Sequence, residues 1–334
     1  PAVGMFFAEL GANVIKIENK NTNGDVTRTW KLASEDANTP SSAYFNSVNY
    51  NKQHLFIDLT NDTEKSQVLE LIKTADILIS NYKPGDDVKL GLDYDTIKKI
   101  NPTIIYAHLS GFGNNSKRTA FDLVLQAETG FMYMNGTKES GPLKMPVALI
   151  DVLAAHQLKE AILVALIQKL KTNQGCKIAV SLYDAAVASL ANQASNWLNA
   201  NHNPEAIGSL HPNIAPYGEL FNTADDKKIV LAIGNDKQFK KLCELIHLNQ
   251  LVENPLFSTN TNRVKNRKEL FKLLESKISD FTSNDLIQQF IKNDVPAGII
   301  KSVKEVFEQT ENEALILTDE NGKRVKTTAF DIQF

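Results

Sequence analysis

The chain has 334 residues, of which 43% are hydrophobic and 22% charged, close to the averages for soluble globular proteins and far from those of disordered, collagenous or coiled-coil chains. Lysine and arginine total 36 against 39 acidic residues, a formal charge of −3, and no apolar run approaches the roughly 20 residues of a membrane span. These figures argue against a nucleic-acid coat and a membrane protein, and the length fits one large or two ordinary domains. Arg28, Arg118, Arg263, Arg267 and Arg324 are the five arginines, so an anion site here must draw mostly on lysines, helix N-termini and backbone N–H groups.

In chain order, Val3, Phe6, Phe7 and Leu10 have helical spacing, Gly11 stops that helix, and Val14–Ile17 reads as a strand. Residues 54–59 (HLFIDL) form a second strand, 62–73 an amphipathic helix opened by Asn61 or Asp62, and 76–80 (DILIS) a third strand. A helix near 94–100 precedes a fourth strand, 103–109, which runs into Ser110-Gly111-Phe112-Gly113. Helices follow over 122–134 and 151–172, then a strand at 176–182 and a helix from Asp184. This alternation predicts a largely parallel sheet with helices on both faces. Residues 201–217, rich in Pro, His and Asn, read as a linker. A hairpin then turns at 224–226, three helices lie near 236–247, 263–278 and 283–292, and a last hairpin turns at Asn321-Gly322. The expected division is a large α/β domain over 1–200, the linker, a small α+β domain over 218–310, and a closing hairpin over 311–334 that starts a return to the large domain.

Cys176 and Cys243 stand far apart in apolar contexts and read as core thiols, which excludes a disulfide framework and points to a cytoplasmic location. The six histidines show no metal-ligand spacing, and the start of the chain has neither the charged region nor the cleavage site of a signal peptide. No GxSxG, GxxxxGK[ST] or strand-linked GxGxxG is present, so hydrolase, P-loop and dinucleotide readings lack their signatures. Loops at 81–85 and 110–113 follow strand ends, where open parallel sheets form ligand clefts. Asp151 follows Val147-Ala148-Leu149-Ile150 and opens the longest helix. Position alone permits either an N-cap or a carboxylate nucleophile held ionised by the helix N–H groups.

The segments PAVGMFFAELGANVIKIE, HLFIDL, ADILISNYKPG…KLGL, INPTIIYAHLSGFG, Phe121-Asp122, PVALID, HPNIAPYGELFNTADDKKIVLAIGNDKQF and DVPAGIIKSVKEVF occur in register along nearly the whole chain. They resemble the class III CoA-transferases of the CaiB/BaiF type, which include formyl-CoA transferase, carnitine CoA-transferase and the related α-methylacyl-CoA racemase. The resemblance implies a Rossmann-like large domain joined to a small one in an interlocked homodimer. It also implies transfer of coenzyme A from an acyl-CoA to a carboxylic acid. Asp151 matches the family nucleophile and would then be both cap and nucleophile, working through mixed-anhydride and aspartyl-CoA thioester intermediates. Coenzyme A and acyl-CoA would be substrates, with no tightly bound cofactor and no metal.

The positions matching the family's CoA contacts are Asn19, Ile57, Asn81, Tyr82, Lys89, Thr119, Ala120, Phe121 and Asp122. The family usually has arginine at the place of Asn19 and often at that of Lys89, which leaves Arg28, Lys16 or Lys83 as replacements. The racemase has a histidine where this chain has Phe121, and an aromatic hydrocarbon cannot act as a base, which disfavours the racemase alternative. A CoA-binding protein without turnover is the other alternative. Asp236 is expected to cap its helix and take no part in catalysis. Relative to the family both ends are short, before the first strand and after the last hairpin.

Overall fold

The computed structural model describes residues 1–333 and divides into two compact units. The larger comprises 1–134, 142–204 and 311 onward, and the smaller 135–141 and 205–310. In the larger unit, helix α1 (Ala2–Glu9) leads to strand β1 (Val14–Asn19), which pairs in parallel with β2 (Lys52–Ile57) so that Asn19 lies opposite Ile57. Asn61 opens α2 (Asp62–Thr74) by accepting the Glu64 N–H, which satisfies one of the helix's orphan donors.

Strands β3 (Ile77–Ser80), β4 (Ile105–Ser110) and β5 (Cys176–Ser181) form a second, wholly parallel sheet in the order β3-β4-β5. Helix α3 (Tyr94–Ile100) supplies the crossover from β3 to β4 that parallel pairing requires. The central strand β4 is buried at every position but Leu109, as expected of a strand covered on both faces. Ile57, Val68, Ile72, Ile97, Ile104 and Tyr106 form one core, with Ile17, Leu78 and Tyr82 packed against it, so both parallel sheets share a hydrophobic centre.

The predicted helix over 122–134 is interrupted. α4 (Asp122–Glu128) ends before Gly130, whose φ of +88° is left-handed backbone that glycine adopts without steric cost, and a single turn (Phe131–Met134) follows. Helix α5 (Leu149–Thr172) starts two residues earlier than its pattern predicts. Helix α6 (Leu182–Ala188) begins before Asp184 because Ser181 is its cap and accepts the Asp184 N–H at 2.9 Å. The final strands, β9 (Ile316–Asp319) and β10 (Gly322–Val325), pair Asp319 with Gly322, which places the turn at Glu320-Asn321, one residue ahead of the expected one. Beyond it, the Glu9 carboxylate accepts the N–H groups of Thr327 and Thr328 at 2.7 and 2.9 Å and ties the end of the chain to α1.

The smaller unit holds an antiparallel sheet of β6 (Tyr217–Asn222), β7 (Lys228–Ala232) and β8 (Ala297–Ile299), with β7 central. Helices α7 (Asp236–Leu245), α8 (Arg267–Ile278) and α9 (Ser283–Lys292) cover it around Phe221, Ile229, Leu231, Phe239, Leu274 and Phe290. Cys243 lies inside this core and burial pushes its thiol up to about 12, while Cys176 is only half-buried. The predicted helix over 263–278 breaks at Asn266 into Asn260–Lys265 and α8. Asn235, and not Asp236, caps α7 by accepting the Gln238 N–H at 2.9 Å. Asp236, one residue into the helix, instead accepts from the buried Arg263 at 2.6 Å.

Candidate active site

Asp151 is the third residue of α5, whose cap position is held by Ala148, a residue with no side-chain acceptor. The expectation that Asp151 is itself the cap is therefore corrected. The carboxylate of Asp122, at the start of α4, takes that role from outside the helix and accepts the Ile150 N–H at 2.7 Å. Asp122 Oδ2 accepts from Gln126 Nε2 at 2.6 Å, and Gln126 Oε1 accepts the Met145 N–H at 2.8 Å. Below this turn Leu125, Ile150, Ala154, Leu182 and Ala186 form a dry core joining α4, α5 and α6.

The Asp151 side chain opens to solvent, yet enough protein surrounds it for desolvation to push its carboxyl up to about 6. The Asp122 carboxylate adds to the shift by like-charge repulsion. The result is a carboxylate in the first turn of a helix, open to solvent at its tip, with its proton affinity raised toward neutrality by the protein around it, an arrangement that a carboxylate nucleophile can use.

The predicted CoA positions fall into three groups, with Lys89 apart from them. Asn19 and Ile57 are cross-strand partners at the ends of β1 and β2; Asn19 is exposed and accepts the Asn21 N–H, and Ile57 is buried. Asn81 and Tyr82 follow β3, where Asn81 is exposed and the Tyr82 ring packs on the core. Thr119, Ala120, Phe121 and Asp122 lead into α4, and Lys83 joins this group to the previous one by donating to Thr119 Oγ1 at 2.8 Å. Phe121 is 61% exposed at the start of α4. Ala120 lies so close to Gly111 that a Cβ there would stand 2.3 Å from its own, so the loop after β4 can pass only as glycine. Lys89 is exposed and pairs with Asp86 at 2.9 Å.

Two of the cations offered as replacements for missing arginines are already engaged. Arg28 donates to the buried Glu18 carboxylate at 2.8 and 2.6 Å and lies over the Phe45 ring, and Lys16 pairs with Asp25. Lys83 contacts a hydroxyl instead of a carboxylate. Three features escaped the sequence reading. Gln126 could have been found from its i, i+4 spacing to Asp122. Glu18 carries no local signal for its partners Arg28 and His54. The third is the exposed ring pair Trp30–Tyr44, 5.1 Å between centroids, where burial and then the charges of Asp151, Asp122 and Asp25 push the Tyr44 hydroxyl up. Among the described residues no cluster of His, Cys, Asp or Glu could hold a metal ion, and no helix is long and apolar enough to cross a membrane.

Residues 1–334 match the model of CoA-transferase family III, and the chain belongs to that family. It is 34% identical to the succinate–glutarate CoA-transferase of Agrobacterium fabrum over 337 residues, covering 99% of this chain and 82% of the relative. It is also 34% identical to the human succinyl-CoA:glutarate CoA-transferase, covering 92% of this chain and 69% of the relative. The crystal structure of a CaiB/BaiF family protein from Brucella suis superposes with a TM-score of 0.87 at 35% identity, covering all of this chain and 88% of that one. The α/β fold with parallel sheets is thus the family's, and the chain is a CoA-transferase.

Proposed function

We propose that this chain moves coenzyme A from an acyl-CoA to a carboxylic acid with Asp151 as the nucleophile. The observation that carries the reading is the placement of Asp151 in the first turn of α5, beside an amide already taken by Asp122 and with its carboxyl raised to about 6. Asp151 attacks the thioester carbonyl, the C–S bond breaks, and CoA leaves as thiolate with an aspartyl–acyl anhydride on the enzyme. The thiolate attacks the aspartyl carbonyl and expels the donor carboxylate, which leaves an aspartyl-CoA thioester. The acceptor carboxylate attacks this thioester and releases the thiolate again, and the thiolate attacks the acceptor's acyl carbon to give the new acyl-CoA and free Asp151. Each step conserves one activated acyl bond, so water must be kept out and the tetrahedral oxyanions need N–H donors.

Coenzyme A is a substrate in this scheme, and Asn19, Ile57, Asn81, Tyr82, Lys89 and 119–122 are the proposed contacts. Succinate and glutarate are the first acids to try, because the two similar proteins are a succinate–glutarate CoA-transferase and a succinyl-CoA:glutarate CoA-transferase. We also assign the active form to a homodimer; Leu163, Val164, Ile167 and Leu170, all exposed on α5, offer an apolar stripe of the kind that interfaces cover.

The test is trapping. Incubation with succinyl-CoA followed by hydroxylamine should modify Asp151, located by peptide mass spectrometry, and Asp151→Asn should stop both trapping and transfer. Transfer that persists in a folded Asp151→Asn protein removes the proposal.

A further inference from the structure

The side chain of Gln126 has none of its surface exposed and sits one helical turn after Asp122 on the inner side of α4. Its Nε2 donates to Asp122 Oδ2 at 2.6 Å, and its Oε1 accepts the Met145 N–H at 2.8 Å. The carbonyls of Met145 and Val147 stand 3.4 and 3.5 Å from the same Nε2, too long for strong bonds but in position to face the amide's second hydrogen. The other oxygen of Asp122 holds the Ile150 N–H. One buried amide is thereby connected to both ends of the 145–150 segment, whose next residue is Asp151.

The chemistry of the position is selective. It needs a donor toward a carboxylate and an acceptor toward an N–H, and among side chains of this length only glutamine supplies both. Glutamate would set an acceptor against the Asp122 carboxylate, and methionine would remove the hydrogen bonds that Gln126 makes to the Met145 N–H and to Asp122 Oδ2. If the amide served only to stabilise the loop, its loss would lower stability and leave turnover per folded molecule unchanged.

We infer that Gln126 is a positioning residue for CoA transfer, fixing Asp122 and the 145–150 main chain so that the Asp151 carboxylate meets the acyl carbonyl at attacking distance. The inference rests on Asp151 being the nucleophile. A displacement of about 1 Å at a reacting atom costs on the order of 10² in rate, which sets the size of effect to look for.

The experiment uses the full chain with succinyl-CoA as donor and glutarate as acceptor, and measures kcat and KM beside circular dichroism and melting. Gln126→Glu is expected to lower kcat by about 10²-fold while KM for succinyl-CoA moves by less than about threefold. Gln126→Met, which adds no charge, should give the same split and covers the case in which Gln126→Glu does not fold. The exchange variant Asp122→Asn/Gln126→Glu restores the side-chain bond between 122 and 126 with donor and acceptor reversed, keeps an oxygen acceptor for the Ile150 and Met145 N–H groups, and keeps the net charge. It should recover at least about tenfold of the lost kcat. A folded single variant with kcat within about twofold of the parent overturns the inference, and so does a loss that the exchange variant fails to recover. Asp151→Asn separates the two readings. If it abolishes transfer while the Gln126 variants do not impair kcat, the Gln126 assignment alone falls; if it leaves transfer intact, both fall.

Discussion

Asp122 Oδ1 accepts the Ile150 N–H at 2.7 Å, so the helix that carries Asp151 is capped by a carboxylate from another helix. A self-capping Asp151 would spend its own oxygens on backbone N–H groups and keep a low pKa. Capping by a neighbour leaves the Asp151 oxygens available and places a second negative charge close enough to raise its proton affinity.

The proposed mechanism gives transfer an acid limb. If Asp151 is the nucleophile it attacks only when ionised, so kcat/KM, which reports the free enzyme, should fall as pH drops through about 6, the value to which burial and then Asp122 bring the carboxyl. Asp122→Asn removes the like charge and should move that limb to lower pH. A pH–rate series on both proteins checks this, and a limb that stays in place or moves upward would contradict the coupling.

The same shift predicts that the active site is held at a cost to stability. The folded carboxyl binds its proton more tightly than the unfolded one, whose ordinary value is 3.8, so Asp151 contributes most favourably below about 4 and increasingly unfavourably as pH rises through 6. Asp151→Asn should therefore raise Tm at pH 7.5 while abolishing transfer, and the gain should vanish near pH 4. Paired melting curves at the two pH values decide it; equal shifts at both would show that the charge is not the cause.

The Glu18 site works in the opposite sense. Burial alone would push this carboxyl up, but Arg28, the Asp25 N–H and His54 outweigh it and hold the pKa down at about 2. Its stabilisation is present above its ordinary value of 4.5 and lost as pH falls through 2. Glu18→Gln strands the guanidinium of Arg28 between Phe45 and Phe56 and should cost about 3–5 kcal/mol at neutral pH, read by urea denaturation. A loss below about 1 kcal/mol would mean that the pair only balances its own desolvation.

Much of the larger unit was legible because its signals are local. Asn61 precedes a 3.6-residue pattern and caps it, and Ile77–Ser80 and Ile105–Ser110 are short apolar runs between turn residues. The family motifs pointed to Asp151, but local pattern placed it at the wrong rank in its helix. What starts α5 is a hydrogen bond from Ile150 to a residue 28 positions earlier, and no window of sequence contains it. Asp236 misled for the same reason: it has the right residue type for a cap, yet Asn235 caps the helix and a distant arginine claims Asp236.

That arginine carries the last prediction. Arg263 has none of its surface exposed, and its guanidinium makes three directed bonds: Nε to the Ala215 carbonyl at 2.8 Å, Nη1 to the Phe257 carbonyl at 3.0 Å and Nη2 to Asp236 at 2.6 Å. It also lies 4.4 Å over the Phe239 ring. A lysine keeps the charge but replaces a planar fork by a single ammonium, which cannot reach three acceptors set around a plane. At least one buried carbonyl would lose its partner, and each such loss to a charged donor costs about 1.5–3 kcal/mol. Arg263→Lys should therefore destabilise the smaller unit by at least about 2 kcal/mol, seen as earlier unfolding in urea. Tolerance of lysine to within about 0.5 kcal/mol would show that charge alone, not the fork, holds residues 215, 236 and 257 together.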